Sequence, residues 1–295
     1  MTNKVLIGMC LDWLTVVAII LPYFCVTKPS PYERKFSITD ETISRPYKGS
    51  EQISDVLVAG IAVFVPVIMG IIVILLTKGG GYECNQLLLA ILTSIGITLD
   101  ITEFTKALFG RFRPDFLSRC QINAEKVNEI LSTTYLVDGL PLAQDRLFDI
   151  SICSNPDTKI LDEGRRSFPS GHSSNTCSTF ILLALFLAGR LKVFDGRVYP
   201  WRLIVSILPL FGAIYIMATR HQDNLHHWSD LLGGAIIGSI IAIIVYHFYF
   251  PPVYSKYSDK PYKLRVNKIL NQSGQAIDDS ESMANPYDKD ISKLV

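Results

Sequence analysis

No pair among the six cysteines is spaced Cys-x-x-Cys, so the chain carries no zinc framework of that kind. Charge of one sign is also missing. Lys and Arg number 28 against 27 Asp and Glu, a net +1, and nucleic acid would need a concentrated basic face. No internal repeat is visible. The first apolar run, residues 5–26, lacks an Ala-x-Ala-like cleavage site and has only Lys4 before it. It therefore reads as a retained span and not as a cleaved signal peptide.

Apolar sequence in long blocks is what the chain does have. Of its 295 residues 49% are hydrophobic and 19% charged. Six runs reach or approach bilayer length: residues 5–26, 56–77, 86–109, 173–191, 203–218 and 230–250. The expected fold is an all-α, six-span transmembrane helical bundle. A long polar loop, about residues 110–171, separates spans three and four. Residues 1–250 form the expected membrane domain, and residues 251–295 a disordered cytoplasmic tail. Lys256, Lys260, Lys263, Arg265 and Lys268 follow the last span closely, as in a cytoplasmic juxtamembrane segment. Asp12 inside the first run is costly in lipid and should face protein or an interface. Cys120 and Cys153 share the long loop. They would pair if it faces an oxidising lumen, and two free thiols are the alternative.

Parity of the crossings sorts the polar residues. Two spans separate the long loop from the hinge after span five, so both lie on one face. Lys106 leaves span three and Arg113 follows it. Ser170, Gly171 and His172 precede span four. Arg220 leaves span five, and His226 and Asp230 enter span six. The basic connection with Arg190, Lys192, Arg197 and Arg202 marks the opposite face as the inner one. The clusters then belong on a lumenal or extracellular surface. The loop 27–56 weakens that orientation, because its five Lys and Arg are balanced by acids.

Each cluster has a functional and a plain reading. Arg166-Ser167-Phe168-Pro169-Ser170-Gly171-His172 opens an apolar run. A helix N-terminus with Ser and Gly is an anion site, and His172 can trade a proton near neutral pH. The string could equally be a turn plus a helix cap. Lys106, Arg111 and Arg113 supply the ammonium and guanidinium forks that a phosphoryl dianion needs. Alternatively, Lys106 pairs with Glu103 and the arginines reach lipid headgroups. His226 and Asp230 are four apart, so on a helix the carboxylate would stand behind the imidazole and orient it. His227 then faces elsewhere and reads as structural. His172, His221, His226, His227 and Asp230 include usual metal ligands, yet Lys106, Arg113 and Arg220 beside them would repel a cation. No metal and no cofactor is expected. Together the clusters specify phosphoryl transfer: Lys106, Arg113, Arg220, Ser170 and Gly171 clamp the phosphate, His226 attacks phosphorus, and His172 protonates the leaving group.

These strings resemble the signature of the type-2 phosphatidic acid phosphatase superfamily, the lipid phosphate phosphatases. The pattern appears as Lys106 to Arg113-Pro114, then Pro169-Ser170-Gly171-His172, then Thr219-Arg220 to His226 to Asp230, with Thr219 where Ser is usual. Flanking strings, including residues 36–47, look like those of eukaryotic lipid phosphate phosphatases, and the resemblance is nearest to the fungal diacylglycerol pyrophosphate phosphatases. The resemblance implies a six-span bundle and magnesium-independent hydrolysis of phosphatidate, lysophosphatidate or diacylglycerol pyrophosphate. The expected partners are phospholipid phosphates in the bilayer, with a homo-oligomer left open. The expected location is an endomembrane such as the vacuole, with the ER, Golgi and plasma membrane as alternatives. A sphingoid-base or polyprenyl phosphatase of the same fold, a non-catalytic lipid-binding relative and a transporter are the competing readings. Charges at span ends argue against the last.

Overall fold

Apolar runs whose starts are capped fold as helices, and the caps here also place the site. The computed structural model describes residues 3–25, 29–132 and 147–262. Among them the chain is all-helical, with two isolated antiparallel bridges, Phe36 to Phe148 and Ile122 to Cys153. Helices α1 (Asn3–Cys25), α2 (Asp55–Leu76) and α3 (Gly81–Phe109) come first. Three short helices follow, α4 (Phe116–Cys120), α5 (Ala124–Ser132) and α6 (Thr158–Gly164). The long α7 (Gly171–Arg190), α8 (Pro200–Gln222) and α9 (Trp228–Tyr249) complete the order.

The Ser54 hydroxyl accepts from the Leu57 N–H at 3.3 Å and starts α2. The Ser170 hydroxyl likewise accepts from the Ser173 N–H and starts α7. Pro200 takes the first turn of α8, where its missing N–H costs nothing. Helix α3 stops at Gly110, whose φ of +52° suits glycine. A Cβ there would also meet the Tyr32 carbonyl oxygen at 2.0 Å.

Five helices, α1, α2, α3, α8 and α9, are long and apolar enough to cross a membrane. The sixth long helix, α7, falls short because its first half is polar: His172, Ser173, Ser174, Asn175 and Thr176. Its position explains how that is tolerated. It packs against α2, α3, α8 and α9, so its hydroxyls meet protein and not lipid. The Thr102 and Ser174 hydroxyls bond each other at 2.9 Å, and Ser94 donates to the Ser178 carbonyl. Gly234 and Gly238 let α9 close onto α7; a Cβ on either would fall 2.5 or 2.2 Å from the Ser170 or Ser174 carbonyl oxygen. The main core joins α3, α7 and α9 through Leu87, Ile91, Leu183, Leu187, Ala242 and Tyr246.

The stretch between α3 and α7 is folded where it is described, beyond the polar loop expected of it. Phe36, Phe112, Phe116, Val127, Phe148 and Ile152 make a second core, cross-linked by a Cys120–Cys153 disulfide. That bond selects one of the two alternatives left open for these cysteines. Residues 251–262 also depart from expectation. They are ordered turns and not disordered tail: Ser258 donates to the Gly189 carbonyl, and Tyr82 donates to the Tyr262 carbonyl. The rest of the expected tail lies outside the described residues.

Candidate active site

The end of α3, the starts of α2 and α7 and the α8–α9 turn meet at one end of the bundle, as the parity of the crossings anticipated. They enclose a cavity of about 870 Å³. Lys106, Arg113, Gly171, His172 and His226 line it. Ser170, Arg220 and Asp230 are buried and do not line it. Away from the charges the wall becomes apolar, with Ile20 of α1, Val58 and Ala62 of α2, and Ile95 and Leu99 of α3.

His226 precedes α9 and is 1% exposed. Its Nδ1 lies 2.8 Å from the Ser167 carbonyl oxygen. A carbonyl only accepts, so Nδ1 carries the hydrogen and Nε2 keeps its lone pair. Burial drives the pKa of this ring well below the ordinary histidine value, and the charges of Arg113, His172 and Lys106 push the same way. The bond to Ser167 opposes them without prevailing. The ring is therefore held neutral, with one nitrogen available to attack an electrophile.

The three cations expected to form a clamp each hold a carboxylate. Lys106 bonds Glu103 at 2.7 Å, the plainer pairing considered for it above. Arg113 pairs with Glu163. Arg220 donates to Glu51 at 2.7 Å and to the Ile53 carbonyl at 2.8 Å. Gly171 leaves room for the ammonium, since a Cβ there would stand 3.2 Å from Lys106 Nζ.

The carboxylate–imidazole pairing differs from expectation. Asp230 does not stand behind His226, because α9 starts only at Trp228 and the two residues share no helical face. Asp230 accepts from Arg111 at 2.7 Å, from the Ser167 hydroxyl at 2.6 Å and from the His227 backbone N–H at 2.9 Å. Its link to His226 runs through Ser167, which gives Asp230 its hydroxyl and His226 its carbonyl. His227 touches the same carboxylate at 3.1 Å and caps α9, which accords with a structural role. The imidazole that meets a carboxylate inside the cavity is His172, whose Nε2 lies 2.7 Å from Asp55 Oδ1.

Asp55, Glu51, Glu163 and Ser167 were not singled out from the sequence. Ser54-Asp55 reads there as an ordinary helix start, a cap followed by an acid, and that signal is satisfied without any site. Among the described residues, Glu51, Asp55 and His172 could hold a metal ion, with ligand atoms within 4.8 Å of one another. Both acids already have partners in Arg220 and His172.

Residues 87–253, more than half of the chain, match the PAP2 superfamily. The chain belongs to the PAP2 superfamily. It is 36% identical over 249 residues to the probable diacylglycerol pyrophosphate phosphatase 1 of Schizosaccharomyces pombe, spanning 82% of this chain and 81% of that protein. It is 34% identical over 258 residues to diacylglycerol pyrophosphate phosphatase 1 of Saccharomyces cerevisiae, spanning 85% and 82%. Lipid phosphate phosphatase 2 of Arabidopsis thaliana is 30% identical over 282 residues, spanning 92% and 87%. No solved structure matches. The PAP2 match takes in all eight candidates from Lys106 to Asp230 and stops short of Glu51 and Asp55.

Proposed function

We propose that this PAP2 protein is a multi-pass membrane lipid phosphatase that hydrolyses phosphatidate, lysophosphatidate or diacylglycerol pyrophosphate through a phosphohistidine on His226, without magnesium. The observation that carries the reading is the state of His226: neutral, its Nδ1–H committed to Ser167, in a cavity shared with Lys106, Arg113 and His172. The names of the relatives supply the substrate class. The apolar wall between α1, α2 and α3 suits acyl chains that run from the charged end toward the bilayer.

In the first step the Nε2 lone pair of His226 forms a bond to phosphorus. The bond to the leaving oxygen breaks, and His172 gives that oxygen a proton. Lys106 and Arg113 hold the non-bridging oxygens, helped by the first-turn amides of α7 at Gly171. Arg220, buried behind the cavity, orders the Glu51–Ile53 segment and adds its charge to the clamp. Asp230 steadies His226 at one remove, by fixing Ser167. In the second step water attacks phosphorus, His172 takes its proton, the P–N bond breaks and phosphate leaves. Side-chain cations neutralise the charge that a magnesium ion would otherwise cover.

In this reading α7 is the fourth of six spans, shielded by its neighbours. The basic 192–202 connection, at the end away from the cavity, favours the cytoplasm there and a lumenal or extracellular site, in an endomembrane such as the vacuole. The test is a substrate panel on purified protein in detergent with excess EDTA. Release of phosphate from phosphatidate or diacylglycerol pyrophosphate at the same rate with and without EDTA is expected. Loss of activity with EDTA would refute metal independence, and preference for sphingoid or isoprenoid phosphates would move the substrate to that class.

A further inference from the structure

We propose that Asp55, at the first turn of α2, is the positioning residue for His172 and governs how well that ring delivers its proton to the leaving group. The inference rests on the phosphatase reading above and adds a residue outside the segment that matches the PAP2 superfamily.

The sequence predicts a carboxylate behind one imidazole, and the structure contains such a pair on the other one. His226 has a backbone carbonyl as its partner. His172 has the Asp55 carboxylate, at 2.7 Å from Nε2. A carboxylate accepts and does not donate, so this nitrogen carries a hydrogen. The pair therefore fixes the ring plane and the position of one hydrogen, and the other ring nitrogen is left to exchange a proton with the substrate. An anion at this distance also steadies the imidazolium that must exist before the ring acts as an acid and again after it acts as a base.

Asp55 is itself held in place. Ser54 caps the helix, the free N–H groups of the first turn of α2 favour an anion, and α2 packs along α7. Its side chain is 72% exposed. An ion pair so open to solvent adds little to folding stability. Orientation of a proton donor depends instead on the geometry of the pair, and that geometry is good.

A general acid matters in proportion to how badly the leaving group needs a proton. An alkyl phosphate expels an alkoxide and needs it. A nitrophenyl phosphate expels a stable phenolate and does not. The experiment compares kcat/KM, which reports the step that forms the phosphohistidine, for dodecyl phosphate and nitrophenyl phosphate in wild type, Asp55→Asn, Asp55→Glu and His172→Ala. Asp55→Asn is expected to lose about ten- to a hundredfold on the alkyl ester and less than about threefold on the aryl ester. Asp55→Glu should recover part of the loss, and Asp55→Asn added to His172→Ala should cost nothing further. Equal losses on both esters, or none, would overturn the proposal. If Asp55→Asn does not accumulate, Asp55→Ser takes its place with the same expectations. A wild type inactive on every phosphate ester would refute the phosphatase reading itself and this inference with it.

Discussion

At the end of the bundle away from the cavity, Arg190 meets Glu83 at 2.6 Å, with side chains 5% and 11% exposed. Thr77 accepts from the same guanidinium at 2.7 Å, and the Asp259 carbonyl closes the set. At the cavity end Arg220 is buried as deeply, but its partner Glu51 is 29% exposed, and Glu163 beside Arg113 is 46% exposed. The residue types are the same at both ends. When both partners are buried neither can leave, because the one left behind would be an uncompensated charge in a poor dielectric. When only the cation is buried, its carboxylate can move into water and an incoming phosphate can take its place. The closed end is a structural clasp that also ties down residues 251–262. At the open end Glu51 and Glu163 are exposed enough to be exchangeable, whereas Glu103 beside Lys106 and Asp223 beside Arg220 stay shielded.

That contrast can be broken in four ways, of descending effect. His226→Ala should lower kcat by at least about a thousandfold, since the proposed mechanism takes its attacking nitrogen from this ring. Near-normal hydrolysis would remove His226 from the chemistry. Arg190→Ala should cost about 3 kcal/mol of stability by stranding Glu83, while activity per folded molecule stays near wild type. Thermal unfolding in detergent, with activity normalised to folded protein, checks both halves. A large activity loss with unchanged stability would erase the distinction between the ends. Arg220→Lys should reduce kcat/KM about tenfold, because an ammonium cannot hold Glu51 and the Ile53 carbonyl at once. Glu163→Gln should tighten competitive inhibition by inorganic phosphate about two- to fivefold, since Arg113 loses a competing anion. Unchanged or weaker inhibition would mean that the carboxylate is not exchanged for phosphate.

The pH behaviour follows from the same burial. Because the His226 pKa lies below that of a free histidine, its neutral form persists below pH 6.5, the ordinary histidine value. Between its depressed folded value and pH 6.5 the unfolded chain binds the extra proton. His226 therefore lowers stability progressively as pH falls through that window.

Much of this was legible in the chain. Apolar blocks with capped starts located the long helices, and the even number of crossings between clusters placed them at one end. Lys106, Arg113, His172 and His226, which line the cavity, were visible because three spaced strings bring cations and imidazoles to the ends of apolar runs on one face. Helix α7 was harder to classify. Residues 173–191 read as a span, but the polar half of that run is acceptable only because four helices enclose it. The pairing of Asp230 with His226 failed for a local reason: a spacing of four means one face only inside a helix, and α9 begins after His226.

The order of the long helices, the identity of the candidate side chains and the class of ligand they suit were set by the sequence alone, since each depends on residue type and spacing along one chain. Which carboxylate meets which ring or cation was settled only by the fold. Asp55 and His172 are far apart in sequence, as are Glu51 and Arg220, and contacts across such distances follow from how α2, α7 and α8 pack, which no local pattern encodes.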